Sequence, residues 1–205
     1  MKRLFNSSET QVLLITTLRK YAFMLQFIKR YSLGFLLLGL AAYFIGRYFY
    51  MQPKVVNGEN APTIQGQLID GTAFDIKELK GKYVLVDFWG SWCGPCLVEI
   101  PGLKKLHQKY KQANFKDANG LTIVSVGVER DEERWKKAIL RTGMDWDHHL
   151  LDLSTSLKFL NGPIAQEFGV KQVPSKFLLN ESGVIIGINQ SIDALDAFLE
   201  KRLKE

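Results

Sequence analysis

The hydrophobic pattern changes period several times along the chain. Tyr31 to Gly46 is uncharged and almost wholly aliphatic or aromatic, with Lys29 and Arg30 just before it and Arg47 just after. Arg47 is followed by Tyr48, Phe49, Tyr50 and Met51. A terminal Arg can snorkel to the headgroups, so the run extends to a predicted membrane span over 31–51, with aromatic residues at its far end. It reads as an uncleaved signal-anchor, because no small-residue cleavage pattern follows it. Upstream, Val12 to Ile28 is apolar but carries Arg19 and Lys20 in its middle. That interruption makes residues 1–30 a basic amphipathic segment suited to the membrane surface. Residues 52–60, with Pro53 and Gly58, read as a linker, and residues 61–205 as one compact domain.

Within that domain the period alternates between that of strands and that of helices. Ile64–Leu68 and Ala73–Ile76 flank Asp70-Gly71, a hairpin signal. Tyr83–Trp89 is a continuous apolar run broken only by Asp87, the signature of a buried central strand. Leu97, Ile100, Leu103, Leu106 and Tyr110 fall at helical spacing over 95–110, with Pro101 expected to kink the helix. Leu121–Val128 predicts a second buried strand, Asp131–Arg141 a helix packing Trp135 and Ile139, and Ile164–Phe168 a short helix. Ser175–Leu179 and Val184–Ile188, joined by Asn180 to Gly183, form a second hairpin, and Ile192–Leu203 a closing helix. The succession predicts an α/β fold, a mixed sheet flanked by helices.

Charge changes the picture by its position. The chain of 205 residues has a formal charge of +6, and residues 1–52 hold seven Lys or Arg against one acid, which accounts for the whole excess. The remaining chain is balanced, so nothing electrostatic points to a nucleic-acid partner. The basic flank of the span should stay cytoplasmic and place the C-terminal domain on the outer side of the inner membrane, anchored by a single pass.

Only two cysteines are present, Cys93 and Cys96, separated by Gly94-Pro95 where a strand gives way to a helix. A bridge closing so short a loop removes little unfolded-state entropy, so the pair is placed for chemistry rather than stability. At a helix start Cys93 meets free backbone N–H groups and the positive dipole end, which favour the thiolate. The thiolate attacks a disulfide, and Cys96, one turn on, resolves the mixed disulfide. Zinc would need four ligands, and the remaining donors are three scattered histidines. His148 and His149 would point to opposite sides of a strand, and His107 reads as a surface residue. No metal and no cofactor beyond the dithiol is expected.

The stretch from Val84 to Cys96, containing Trp92-Cys93-Gly94-Pro95-Cys96, resembles the strand and active-site corner of thioredoxins, and Val173-Pro174 before Ser-Lys-Phe-Leu-Leu resembles their cis-proline strand. With Glu99, Pro101, Ala61-Pro62, the extra N-terminal hairpin and the anchor, residues 60 to 205 look like the ResA/TlpA branch of the thioredoxin-like superfamily. The resemblance implies a membrane-tethered thiol-disulfide oxidoreductase outside the cytoplasm, acting as a reductant on disulfide-bonded proteins. The resemblance leaves the substrate open among apocytochrome c, another redox protein and a general set of misoxidised envelope proteins. Such a reductant needs a membrane donor of reducing equivalents, since one span carries no electrons. The Gly-Pro dipeptide resembles reducing thioredoxins and implies a potential nearer about −270 mV than about −120 mV. Ser125 departs from the pattern, standing where thioredoxins often carry a lysine near the buried acid.

Asp87 is that acid. A lone carboxyl in an apolar strand escapes the cost of burial by a raised pKa, which suits proton exchange with Cys96. Glu99, three residues past Cys96, is a second acidic candidate on the same helical face. Trp92, Gly94, Pro95, Val173 and Pro174 are the expected substrate-contacting residues: Trp92 as an apolar cover, and a cis Pro174 exposing the Val173 backbone to an extended substrate. Two other classes are weighed. A peroxiredoxin-like thiol peroxidase would carry a Thr and Pro ahead of a lone cysteine, and none precedes Cys93 here. A tethered, non-catalytic holdase would use the groove around Trp92 and Pro174 without the cysteines.

Overall fold

The computed structural model describes residues 7–51, 54–157 and 160–204, with side chains from residue 12 onward. Lys2, Arg3 and, in the linker, Gln52 and Pro53 lie outside the described residues. The chain divides into two compact units that meet between Tyr50 and Met51.

The described residues of the first unit all belong to one helix, α1 (Ser7–Met51). No break separates the segment around Arg19 and Lys20 from the apolar run that follows. Val12–Met51 is long and apolar enough to cross a membrane, and none of its most apolar window is buried.

The second unit begins with a hairpin, β1 (Gln65–Gln67) and β2 (Ala73–Asp75), closed as expected around Asp70-Gly71, where Gly71 takes φ 88°. A single 3-10 turn (Ile76–Leu79) leads into β3 (Tyr83–Trp89). There follow α2 (Gly94–Tyr110), β4 (Leu121–Glu129), α3 (Glu132–Thr142), β5 (His148–Leu153), α4 (Pro163–Glu167), β6 (Ser175–Leu179), β7 (Ile185–Ile188) and α5 (Ile192–Glu200). The main sheet runs β5-β4-β3-β6-β7. β3, β4 and β5 are parallel, whereas β6 and β7 are antiparallel to their neighbours.

Every residue of β3 and β4 is buried, which is why both read as continuous apolar runs rather than alternating ones. Tyr83, Leu85 and Trp89 pack with α2, α3 and α5 on one face of the sheet. Val84, Val86 and Phe88 pack with Phe74, Ala165 and Phe168 on the other. Helix starts follow side-chain chemistry: Asp131 caps α3 through the Glu133 and Arg134 N–H groups, and Ser191 caps α5 through Ala194 N–H. The buried Asp152 carboxylate accepts from the Ile164 and Ala165 N–H groups at the start of α4.

The strand expected at His148 and His149 is β5, an edge strand of the main sheet paired with β4. Two expectations change. The closing helix ends at Glu200 rather than Leu203, because residues beyond it pair back to Asn114 and Phe115. His107 is buried rather than superficial: its ring meets the Trp146 edge and its Nδ1 lies 3.6 Å from the Asp145 carboxylate. Pro101 sits inside α2, which continues without interruption to Tyr110.

Candidate active site

Cys93 is the N-cap of α2, in extended backbone conformation, with Pro95 in the first turn, where its missing N–H is no loss. Its Sγ accepts from the Cys96 N–H at 3.2 Å. The sulfur therefore occupies the place of a capping oxygen, where orphan N–H groups and the dipole favour negative charge. Cys93 and Cys96 are joined as a disulfide of 2.04 Å, and both are almost completely buried. No large difference in depth separates them.

The loop before Cys93 is held by β4. The Ser91 N–H donates a short hydrogen bond to the Glu129 carboxylate, and the Trp92 Nε1–H donates to the Val128 carbonyl at 3.0 Å. Burial raises the Glu129 pKa, an effect opposed by the Ser91 hydrogen bonds. The Trp92 indole folds over Gly90, where any Cβ would collide with it, and stays 43% exposed. Gly90→Val is accordingly expected to displace the indole and cost about 1–3 kcal/mol, read as a changed Trp fluorescence and a lower melting temperature. An unchanged spectrum would show that the loop tolerates the crowding.

Beneath the dithiol a polar row crosses an otherwise apolar sheet. Asp87 pairs in register with Ser125 on one side and Lys176 on the other, and Ser125 with His149. All four are buried on the face that packs α2, since Leu85 and Trp89 flank Asp87 there in the cluster containing Cys96. Lys176 Nζ reaches Glu99 Oε2 at 2.5 Å, and Ser125 Oγ accepts from Trp146 Nε1–H at 2.8 Å. Asp87 Oδ1 has no hydrogen-bond partner among the described residues. Burial pushes the Asp87 pKa up to about 7; the positive charge of Lys176 lowers it and the negative charge of Glu99 raises it. A carboxyl balanced there can take or give a proton at neutral pH.

The lysine absent at Ser125 is thus present on the opposite neighbour of Asp87. Neither Lys176 nor Glu129 was picked out from sequence, although each is an ionisable residue inside or ending an apolar run, the same signal that marked Asp87. Glu99 lies one turn beyond Cys96 and is engaged by Lys176. The Val173–Pro174 peptide is cis, and the register of β6 brings Pro174 to the level of Trp89, the end of β3 that leads to Cys93. The Val173 side chain is half-buried against both cores. Gly94 is exposed beside the dithiol. His148 and His149 do face opposite ways, one ring against Phe74 and the other stacked on Trp146.

The thioredoxin-like family model matches residues 81–185. The thiol-disulfide oxidoreductase ResA of Bacillus thuringiensis is 27% identical over 158 residues, 75% of this chain and 83% of that protein. The thioredoxin-like protein YneN of Bacillus subtilis is 28% identical over 166 residues, 79% of this chain and 90% of that one. Among solved structures, the thioredoxin domain of a thiol-disulfide oxidoreductase from Bacteroides vulgatus matches with a TM-score of 0.60 at 29% identity, over 71% of this chain and 99% of that chain.

Proposed function

The chain belongs to the thioredoxin-like family, and from that premise we propose that it is a membrane-anchored thiol-disulfide oxidoreductase that reduces protein disulfides outside the cytoplasm. The observation that carries the chemistry is the Cys93–Cys96 pair at the start of α2, with the Cys96 N–H on Cys93 Sγ and the buried Asp87, its pKa raised by burial, in the strand beneath. The relatives named thiol-disulfide oxidoreductases support the same reading. Cys93 attacks the substrate disulfide, forming one S–S bond as the substrate's breaks. Cys96, its proton passed to Asp87, then displaces the substrate thiol and closes the Cys93–Cys96 bond. Trp92, Gly94, Pro95, Val173 and Pro174 line the approach, and Glu99 acts through Lys176.

The anchor reading rests on α1. Its side chains around Leu33 to Ile45 are exposed along the helix, an apolar surface that water does not tolerate. Residues 31–51 span about 32 Å at about 1.5 Å per residue, matching a hydrocarbon core of about 30 Å, and Lys29 and Arg30 mark its boundary. Residues 1–30 are then the cytoplasmic, basic segment and 61–205 the outer domain, fed by a membrane donor of electrons.

Insulin reduction in the presence of dithiothreitol tests the activity, and redox titration of the Cys93–Cys96 couple tests its direction. A potential near about −270 mV is expected; a value above about −150 mV overturns the reductant assignment. Peroxide consumption at enzyme-like rates would favour the peroxidase, and substrate capture indifferent to both cysteines the holdase.

A further inference from the structure

A cleft of about 330 Å³ opens between the loop preceding Cys93 and helix α3, lined by Ser91, Trp92, Arg134, Lys137, Ala138 and Arg141. Half of these side chains are cations. Arg134, Lys137 and Arg141 recur at intervals of three and four, so one face of α3 carries them all. Lys136, outside the row, pairs with Glu132 at 2.8 Å, and within the row Arg134 lies 3.5 Å from the N-cap carboxylate of Asp131. Lys137 and Arg141 have no acid within ion-pair distance among the described residues. The helix dipole accounts for a cation in the last turn, such as Arg141, but works against Arg134 in the first. Helix interactions therefore account for Arg141 and, through Asp131, for Arg134, but not for Lys137 or for all three lining one cleft. The opposing wall is the Trp92 indole, held by Val128 and immediately followed by Cys93.

We infer that this cleft receives acidic side chains flanking the disulfide of an extended polypeptide substrate. The inference rests on the oxidoreductase reading and narrows it to polypeptides with Asp or Glu beside the target cysteines. Guanidinium groups match carboxylates in geometry as well as charge, and unpaired cations beside a reactive centre raise the encounter rate with acidic partners. The volume, at the lower end of small-ligand sites of about 300 Å³ and above, takes one or two side chains rather than a folded module. Trp92 lines the cleft and is followed at once in the chain by Cys93, so a polypeptide whose carboxylate sits among the cations has its neighbouring disulfide close to the dithiol.

The test uses the full-length chain, reduced, in nonionic detergent. Two peptides with an internal disulfide, one flanked by Glu and one by Gln, are compared with hydroxyethyl disulfide as an uncharged reference. At low salt the Glu peptide is expected to react about 10-fold faster than the Gln peptide, the gap closing near about 0.5 M salt. In the Lys137→Glu/Arg141→Glu double variant the preference reverses while hydroxyethyl disulfide reacts as before; both side chains are exposed, and circular dichroism verifies the fold. Equal rates for the two peptides in the unaltered chain, or a preference that survives the double reversal, overturn the cleft assignment while leaving the oxidoreductase reading intact. Failure with all three disulfides overturns that reading and the cleft with it.

Discussion

Replacing Cys93 with Ser is expected to lower disulfide reduction on the order of 1,000-fold or more, because the hydroxyl left at the N-cap position is not ionised by the groups that favour a thiolate. The fold should survive, since Ser is a good N-cap and its oxygen can accept the Cys96 N–H that Sγ now holds. Cys96→Ser should have a different signature. Attack by Cys93 proceeds, release does not, and a mixed disulfide with the substrate accumulates. Non-reducing electrophoresis of the chain expressed in a bacterial envelope reads this directly: trapped partners with Cys96→Ser, none with Cys93→Ser. Trapping by Cys93→Ser instead would make Cys96 the nucleophile. Full insulin reduction by Cys93→Ser would remove the dithiol from the mechanism altogether.

The second large effect is expected at Asp87. Asp87→Asn should leave the first attack unchanged and slow decay of the mixed disulfide about 100-fold near pH 6, where few thiols ionise without a base. The loss should shrink toward pH 8. Stopped-flow decay between pH 6 and 8 measures it, and rates like those of the unaltered chain would move the proton transfer elsewhere, with Glu99 next. Lys176→Met should push the Asp87 pKa above about 7 and Glu99→Gln below it, because the lysine lowers that pKa and the glutamate raises it. A merely structural ion pair would not move the two pH profiles in opposite directions.

The same carboxyl links stability to pH. Folded Asp87 holds its proton up to about pH 7, whereas the unfolded side chain releases it near the ordinary value of 3.8. The folded state binds more protons between those limits, so stability is greatest at and below the unfolded value, falls as pH rises to about 7, and is flat above. The whole displacement corresponds to about 4 kcal/mol, an upper figure because water penetration and relaxation soften buried charges. Denaturant melts of the oxidised protein, in which no thiol titrates, should show this slope, and Asp87→Asn should lack it and be the more stable form at pH 8. Parallel pH dependences in the two proteins would mean that Asp87 reaches solvent.

Sequence alone determined those features that depend on neighbours along the chain. Asp70-Gly71 and Asn180 to Gly183 mark their hairpins because positive φ and Asx-type bonding are local demands. β3 and β4 declare burial on both faces by runs of Val, Ile and Leu, and Cys93-Gly94-Pro95-Cys96 declares its chemistry by standing where a strand becomes a helix. A lone acid in such a run was enough to single out Asp87, since an unpaired buried charge needs a reason.

Pairing across strands decided the rest. Lys176 and Asp87 are far apart in sequence and become neighbours only because β6 runs antiparallel to β3 in one particular register. A shift of one residue would turn Lys176 to the opposite face and leave Asp87 without its cation. The same holds for Glu129, which reaches Ser91 only through the parallel pairing of β3 with β4, and for His107, buried because α2 lays it against Trp146. β5 is legible as extended chain but not as a member of the sheet, because an edge strand mixing His, Leu and Asp carries no apolar run of its own; its partner β4 supplies the hydrogen bonds. Periodicity records which side of an element is buried, but only the packed structure brings one element's charge beside another's, and the tuning of Asp87 depends on that contact.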